Sequence, residues 1–300
     1  MKHILDCTLR DGGYANGWNF TDEFIDDYVD GMISAKVDII ELGFLLEDSP
    51  SQERFNLRDL QEADIADLKS RFEFGDTKVA ALLNMCAIKD VYEVIIPESI
   101  DIVRFAINRE EIKDCARYLK ALMTNNPHVK FTINLKRILA FADSELKEVI
   151  KIADDLDILC LYIADTYGSL LPVRLIQILQ ILSASNKKIG VHLHNNLNQA
   201  FANATICETF GSVGYIDTTV HSYGRGGGNL NLKQYAAFAN RHGASYNLTA
   251  IEDLEDIADF SFTMPEYENF ATGLYNIHPC ALPPYTYLSA AIETIESRYE

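Results

Sequence analysis

The stretch HILDCTLRDG, residues 3–12, decides how the rest of the chain is read. It begins as a short apolar run over residues 3–9 and breaks off into Arg10, Asp11 and a Gly-Gly turn. That is the pattern of a strand bounded by a turn signal. Strand alternation puts Asp6, Thr8 and Arg10 on one face and Cys7 and Leu9 on the other. Polar residues where a strand stops suit the rim of a parallel barrel, where such folds keep their active sites. Taken alone, Arg10 and Asp11 also suit a surface ion pair in a glycine turn.

Working outward, the same unit recurs. Apolar runs at residues 3–9, 37–44, 78–84, 100–108, 130–137, 158–165, 188–194 and 215–221 read as strands. Amphipathic runs at 22–35, 110–124, 145–156, 171–183, 199–210 and 232–241 read as helices. Alternating strands and helices without a linker predict a (β/α)8 TIM barrel over residues 1–245, and 300 residues leave room for one. No GxGxxG-type turn follows the early strands, which weighs against an open dinucleotide-binding sheet.

Residues 246–300 differ. An acidic helix-like stretch is followed by Phe260, Phe262, Tyr267, Phe270, Tyr275, Tyr285 and Tyr287. This helical and aromatic C-terminal extension is expected to pack on the barrel or on an oligomer partner, and the chain is expected to form a homo-oligomer. The sequence also leaves open that this barrel is part of a longer protein.

Hydrophobic residues make up 48% of the chain and charged ones 23%, a globular balance. Lys plus Arg number 26 against 44 Asp plus Glu, a net charge of -18. Nucleic-acid and anionic-membrane partners need clustered positive charge, so neither is expected. An anionic substrate would need a local positive centre, such as a metal or a buried Arg. Cys7, Cys86, Cys115, Cys160, Cys207 and Cys280 form no CxxC pair and read as buried thiols of a reducing compartment. No signal peptide or membrane span is legible, so a cytoplasmic location is expected.

The seventh strand ends in Val191-His-Leu-His-Asn-Asn196. A period of two turns His192 and His194 to the same side. With a carboxylate from another strand they form a 2-His-1-carboxylate site with open positions. Past the eighth strand, GRGGGN at residues 224–229 allows positive φ and close backbone approach at Gly226 and Gly228, where barrels often bind anions. A merely flexible loop has the same composition.

Together, TLRDG after the first strand, VHLHNN followed by QAFANA, the Asp165-Thr-Tyr-Gly168 turn and GRGGGN resemble the DRE-TIM metallolyase superfamily. Its members include 3-hydroxy-3-methylglutaryl-CoA lyase, 4-hydroxy-2-oxovalerate aldolase, isopropylmalate synthase and homocitrate synthase. The pattern is most like the catalytic domains of the 4-hydroxy-2-oxovalerate aldolases. The resemblance spans about residues 3–242. It implies Asp11, His192 and His194 as metal ligands, Asn229 as a further one, Arg10 at an enolate oxygen, and Glu41 as an acidic residue some members keep. It implies a divalent metal, Mn2+ or Mg2+ first and Co2+ or Zn2+ next. The implied activity is an aldolase or lyase working through the enolate of a 2-oxo acid such as pyruvate, with an aldehyde as partner.

Two departures stand out. The aldolases carry a basic His shortly after RDG, where this chain has Tyr14, and the Cys that the lyases use after strand eight is missing. His221 is the first candidate to replace the base, Tyr14 the second, and Tyr275 the third. Three other readings compete. One is a Claisen-type acyl transferase joining acyl-CoA to a 2-oxo acid. Another is a Schiff-base aldolase using Lys136, which shares a strand face with Thr132 and Asn134. The last is a barrel that has lost catalysis and serves as a partner subunit.

Overall fold

The computed structural model describes residues 2–47, 55–258 and 266–276. Eight parallel strands close into a barrel: β1 (His3–Asp6), β2 (Ile39–Leu45), β3 (Lys78–Asn84), β4 (Ile102–Ile107), β5 (Lys130–Leu135), β6 (Cys160–Asp165), β7 (Lys188–Leu193) and β8 (Val213–Thr218). Closure is made by β1, which pairs with β2 at Leu5↔Ile39 and with β8 from His3↔Tyr215 to Asp6↔Thr218. The helices are α1 (Thr8–Asp11), α2 (Gly13–Asn16), α3 (Asp22–Ser34), α4 (Glu62–Arg71), α5 (Ile112–Asn125), α6 (Asp143–Asp154), α7 (Pro172–Leu182), α8 (Ala200–Glu208), α9 (Leu232–Arg241), α10 (Leu248–Ile257) and α11 (Glu266–Tyr275).

Local chemistry explains the helix bounds. Thr21 caps α3 by accepting from the Phe24 N–H at 3.1 Å, and α3 then buries Phe24, Ile25, Tyr28, Val29 and Met32 on one stripe. Pro172 starts α7, where its missing N–H costs nothing. The sequence pattern missed α4 because only Ile65 and Leu68 are buried along it, too thin a stripe to show a period.

Three layers fill the barrel. Leu5, Cys7, Ile39, Ala80 and Ile102 close the floor. Above them the interior turns ionic, with Glu41, Arg104, Asp217 and His192 all buried. Phe44, Leu82 and Ala106 form an apolar patch near the mouth. A larger apolar sleeve packs the helices onto the outside of the strands.

Two strand ends differ from expectation. β1 stops at Asp6, because Cys7 leaves the extended region and the Asp11 N–H bonds back to the Cys7 carbonyl at 2.8 Å. Leu5 and Cys7 take the inward face, so Asp6 points outward, and Thr8 lies beyond the strand; neither faces the cavity. The Asp6 carboxylate instead accepts from the hydroxyls of Thr8, Tyr28 and Thr218, stapling β1 to β8 and α3, while burial pushes its pKa up to about 6. β8 stops at Thr218, and His221 follows in a 3-10 turn with φ of 50°.

The described part of the extension packs on the barrel. Leu254 of α10 lies against Gly31 of α3, and Asn196 beyond β7 donates to Thr272 of α11 at 2.9 Å. Phe260, Phe262, Tyr285 and Tyr287 lie outside the described residues. Cys7, Cys115, Cys160 and Cys207 are buried as expected, but Cys86 is exposed, since it sits in the turn after β3; Cys280 lies outside the described residues. Among the described residues no helix is long and apolar enough to cross a membrane.

Candidate active site

A cavity of about 100 Å³ opens at the C-terminal end of the strands. Its lining includes Arg10, Asp11, Tyr14, Arg104, Asn134, Lys136, His192, His194 and Arg225. The short α1 turn carries Arg10 and Asp11 inward as neighbours, which an extended strand could not do.

Asp11, His192 and His194 each offer a buried ligand atom, and these atoms lie within 4.8 Å of one another. His192 Nε2 and His194 Nε2 are 3.2 Å apart, and His194 Nε2 is 3.6 Å from Asp11 Oδ2. The other ring nitrogens are engaged. His192 Nδ1 meets Asp217 Oδ2 at 3.0 Å, and His194 Nδ1 meets the Arg225 carbonyl at 3.1 Å. Both partners are acceptors, so each Nδ1 carries the proton and each Nε2 presents a lone pair. Burial pushes His194 down to about 3, which keeps it neutral. Two lone pairs and a carboxylate oxygen thus face one another in a dry place. A cation among them would relieve their mutual repulsion, and the donor set suits a divalent ion.

Asn229 comes from the glycine-rich loop, where it forms an isolated bridge with His194. Its Nδ2 donates to Asp11 Oδ2 at 2.6 Å and to the Tyr223 carbonyl at 2.8 Å, while its buried Oδ1 has no partner. An orphaned amide oxygen beside this cluster is a further donor for a cation. The loop is folded against the strand ends. Gly226 and Gly228 have φ of 67° and 76°, and a Cβ on Gly228 would lie 2.1 Å from the Ser222 carbonyl oxygen. These two glycines shape the loop by their backbone. Gly228→Ala is expected to destabilise the protein by at least about 1–2 kcal/mol through the left-handed backbone alone. Urea unfolding measures this, and an unchanged midpoint would mean that the loop yields freely.

Behind the cluster runs a buried ionic network. Arg10 Nε donates to Glu41 Oε2 at 2.7 Å, and Arg10 Nη1 donates to Asp11 Oδ1. Arg104 Nη1 donates to the same Glu41 oxygen at 2.9 Å, and its Nη2 to Asp217 Oδ2. Burial alone would raise Asp11, but the Arg10 guanidinium holds it well below the usual carboxylate range. Arg104 also stacks over Tyr162, 4.3 Å from the ring centroid. Glu41 therefore fixes two guanidinium groups and does not line the cavity.

The candidate bases fall in different places. His221 is not among the cavity residues. Its Nε2 meets the Glu255 carbonyl at 2.7 Å, and its ring packs on Tyr223, so it ties the turn after β8 to α10. The expected strand would have carried it to the rim, but β8 ends three residues earlier. Tyr14 does line the cavity, with 45% of its surface exposed; partial desolvation and the neighbouring Asp11 charge raise its pKa above the ordinary phenol value. Tyr275 ends α11 and is half-buried outside the cavity lining. Arg104, Asp217 and Arg225 were not singled out from sequence. A lone Arg in the apolar strand Ile-Val-Arg-Phe-Ala-Ile was the one available signal.

The chain is similar to known proteins over most of its length. The HMGL-like family profile matches residues 2–260. An oxaloacetate decarboxylase from Mycobacterium tuberculosis is 26% identical over 260 residues, covering 85% of this chain and 74% of that protein. A 4-hydroxy-2-oxovalerate aldolase from Thermus thermophilus is 27% identical over 263 residues, covering 86% and 74%. The crystal structure of the N-terminal domain of a Bacteroides vulgatus protein superposes with a TM-score of 0.79 at 23% identity, over 93% of this chain and 94% of that one.

Proposed function

The chain belongs to the HMGL-like family, and from that premise we propose that it is a divalent-metal-dependent carbon–carbon lyase of the aldolase type, acting on a 2-oxo acid such as pyruvate or its aldol adduct. The observation that carries the proposal is the meeting of two imidazole Nε2 lone pairs with the Asp11 carboxylate inside a cationic cavity. Asp11, His192 and His194 would hold the ion, with Asn229 Oδ1 as a further donor. Imidazole with carboxylate and amide oxygen suits Mn2+ or Mg2+, with Co2+ and Zn2+ also compatible. Such an ion, when bound, supplies Lewis acidity toward the oxygens of a 2-oxo acid.

The remaining work falls to the chain. Arg10, locked by Glu41 and Asp11, keeps a planar cation beside the cluster. Its charge sits where the oxygen of an enolate develops, and it needs no reorganisation. Tyr14 presents its hydroxyl as a donor for a substrate oxygen at the mouth. The Tyr14 and Tyr167 rings flank Arg225, 5.4 and 5.8 Å from its guanidinium carbon, which holds that side chain over the cavity. Retro-aldol cleavage and decarboxylation next to a 2-oxo acid both leave pyruvate enolate, so the relatives named for those two reactions are compatible with one site.

The cavity of about 100 Å³ is smaller than the roughly 300–1,000 Å³ of drug-sized ligand sites, so it suits molecules of a few carbons. The test is pyruvate release from 4-hydroxy-2-oxopentanoate, followed with lactate dehydrogenase. Release that requires added divalent metal is expected; no release from this or other 4-hydroxy-2-oxo acids would remove the aldolase reading.

A further inference from the structure

Four cations line the cavity, Arg10, Arg104, Lys136 and Arg225, in a chain of net charge -18. Two of them are matched inside the protein, Arg10 by Glu41 and Asp11 and Arg104 by Glu41 and Asp217. The other two have neutral hydrogen-bond acceptors among the described residues. Lys136 Nζ donates to Asn84 Oδ1 at 2.7 Å, and Arg225 Nη2 donates to the Thr166 carbonyl at 2.9 Å. Among the described residues no carboxylate forms an ion pair with either. Glu47 stands behind Asn84, accepting from its Nδ2 at 2.6 Å, and so orients the amide oxygen toward Lys136. Burial pushes the Lys136 ammonium below the ordinary lysine range despite the more distant Glu111 and Glu47 carboxylates, so an anion in direct contact would stabilise its charge.

The topology gives this cation a place. In a closed ring of eight strands, β5 stands opposite β1. Lys136 follows Leu135, the last residue of β5, so it faces Arg10 and Asp11 across the mouth. The walls between them include Ala106 and Ala164, whose short side chains leave room. One end of a bound molecule therefore meets the metal-ligating cluster, and the other meets an ammonium that no described carboxylate pairs directly.

We propose that Lys136, oriented by Asn84, binds a carboxylate at the far end of the substrate, so that the substrate is a 4-hydroxy-2-oxo dicarboxylate and its aldehyde half is itself an oxo acid. The inference rests on the aldolase reading above. A carboxylate paired with an ammonium is stabilised in its charged form, which favours keeping it over losing it as carbon dioxide. Lys136 acts here as a specificity residue, and borohydride fixation is the outcome that would make it an imine-forming amine instead.

The experiment is aldol addition of pyruvate to glyoxylate and to acetaldehyde, an anionic and a neutral acceptor of similar size. Wild type, Lys136→Met and Lys136→Arg are compared, with each rate normalised to deuterium exchange at the pyruvate methyl. Comparing the glyoxylate-to-acetaldehyde ratio of kcat/KM between variants cancels the intrinsic reactivity of the aldehydes. The ratio is expected to fall about ten- to a hundredfold in the Met variant, as for loss of a hydrogen bond to a charged group, and to be largely kept in the Arg variant. Should the Met protein fail to fold, Lys136→Gln is read in its place. An equal ratio in wild type and the neutral variants overturns the inference, as does borohydride fixation of pyruvate onto Lys136. If wild type itself shows no methyl exchange, the aldolase reading fails and the inference falls with it; exchange with an unaltered ratio overturns the inference alone.

Discussion

Arg10→Lys is expected to lower turnover about a hundred- to a thousandfold while the protein keeps its metal. One preorganised donor at a developing oxyanion is worth about 2.7–4 kcal/mol. Arg10 holds its position through a fork, with Nε on Glu41 and Nη1 on Asp11. A lysine ammonium keeps the charge beside Asp11 but cannot bridge both carboxylates and still face the cavity. The loss should therefore fall on kcat more than on KM, since the interaction matters most where charge develops. Steady-state kinetics with metal analysis of the same samples check this. Full activity in the Lys variant would reduce Arg10 to a structural ion pair.

Arg104→Met is expected to cost about 3–5 kcal/mol of stability, the usual result of removing one member of a buried ionic group. Arg104 is 1% exposed and shares Glu41 with Arg10 while also meeting Asp217. Its loss leaves two buried carboxylates with one guanidinium and one imidazole between them. Asp217 would also be freer to move, and it is the group that fixes the His192 tautomer. For a domain of this class each kcal/mol shifts the melting temperature by about 2–4 °C, so a fall on the order of 10 °C is expected by calorimetry. A melting temperature close to wild type would mean that water or a shifted side chain reaches the orphaned carboxylates.

Some of this site was legible in the sequence and some was not. The His192-x-His194 pair could be read because β7 stays extended almost to its end, so a period of two gives the facing correctly. Arg10 and Asp11 could be found but not oriented. Alternation was extended through Leu9, whereas the chain turns helical after Cys7, and nothing in Asp-Cys-Thr-Leu announces that turn. The same error at the other closing strand placed His221 at the rim. Its φ of 50° is a backbone state that a His only occasionally adopts, so an unbroken strand was the natural expectation. The second layer was hidden for a different reason. Glu41, Arg104 and Asp217 come from β2, β4 and β8, and their pairing depends on barrel closure and shear, which no local pattern records. The helix α4 was missed because its apolar stripe is thin, although a barrel requires a connection there.

The most direct test of the proposed chemistry is deuterium exchange at the methyl group of pyruvate, followed by proton NMR in deuterium oxide. It reports enolate formation without any knowledge of the second substrate. The expected result is exchange by the purified protein that stops after chelation, returns when Mn2+ or Mg2+ is added back, and is absent in Asp11→Asn. Exchange that persists undiminished in the chelated protein, or no exchange in the metal-supplied one, would contradict the account.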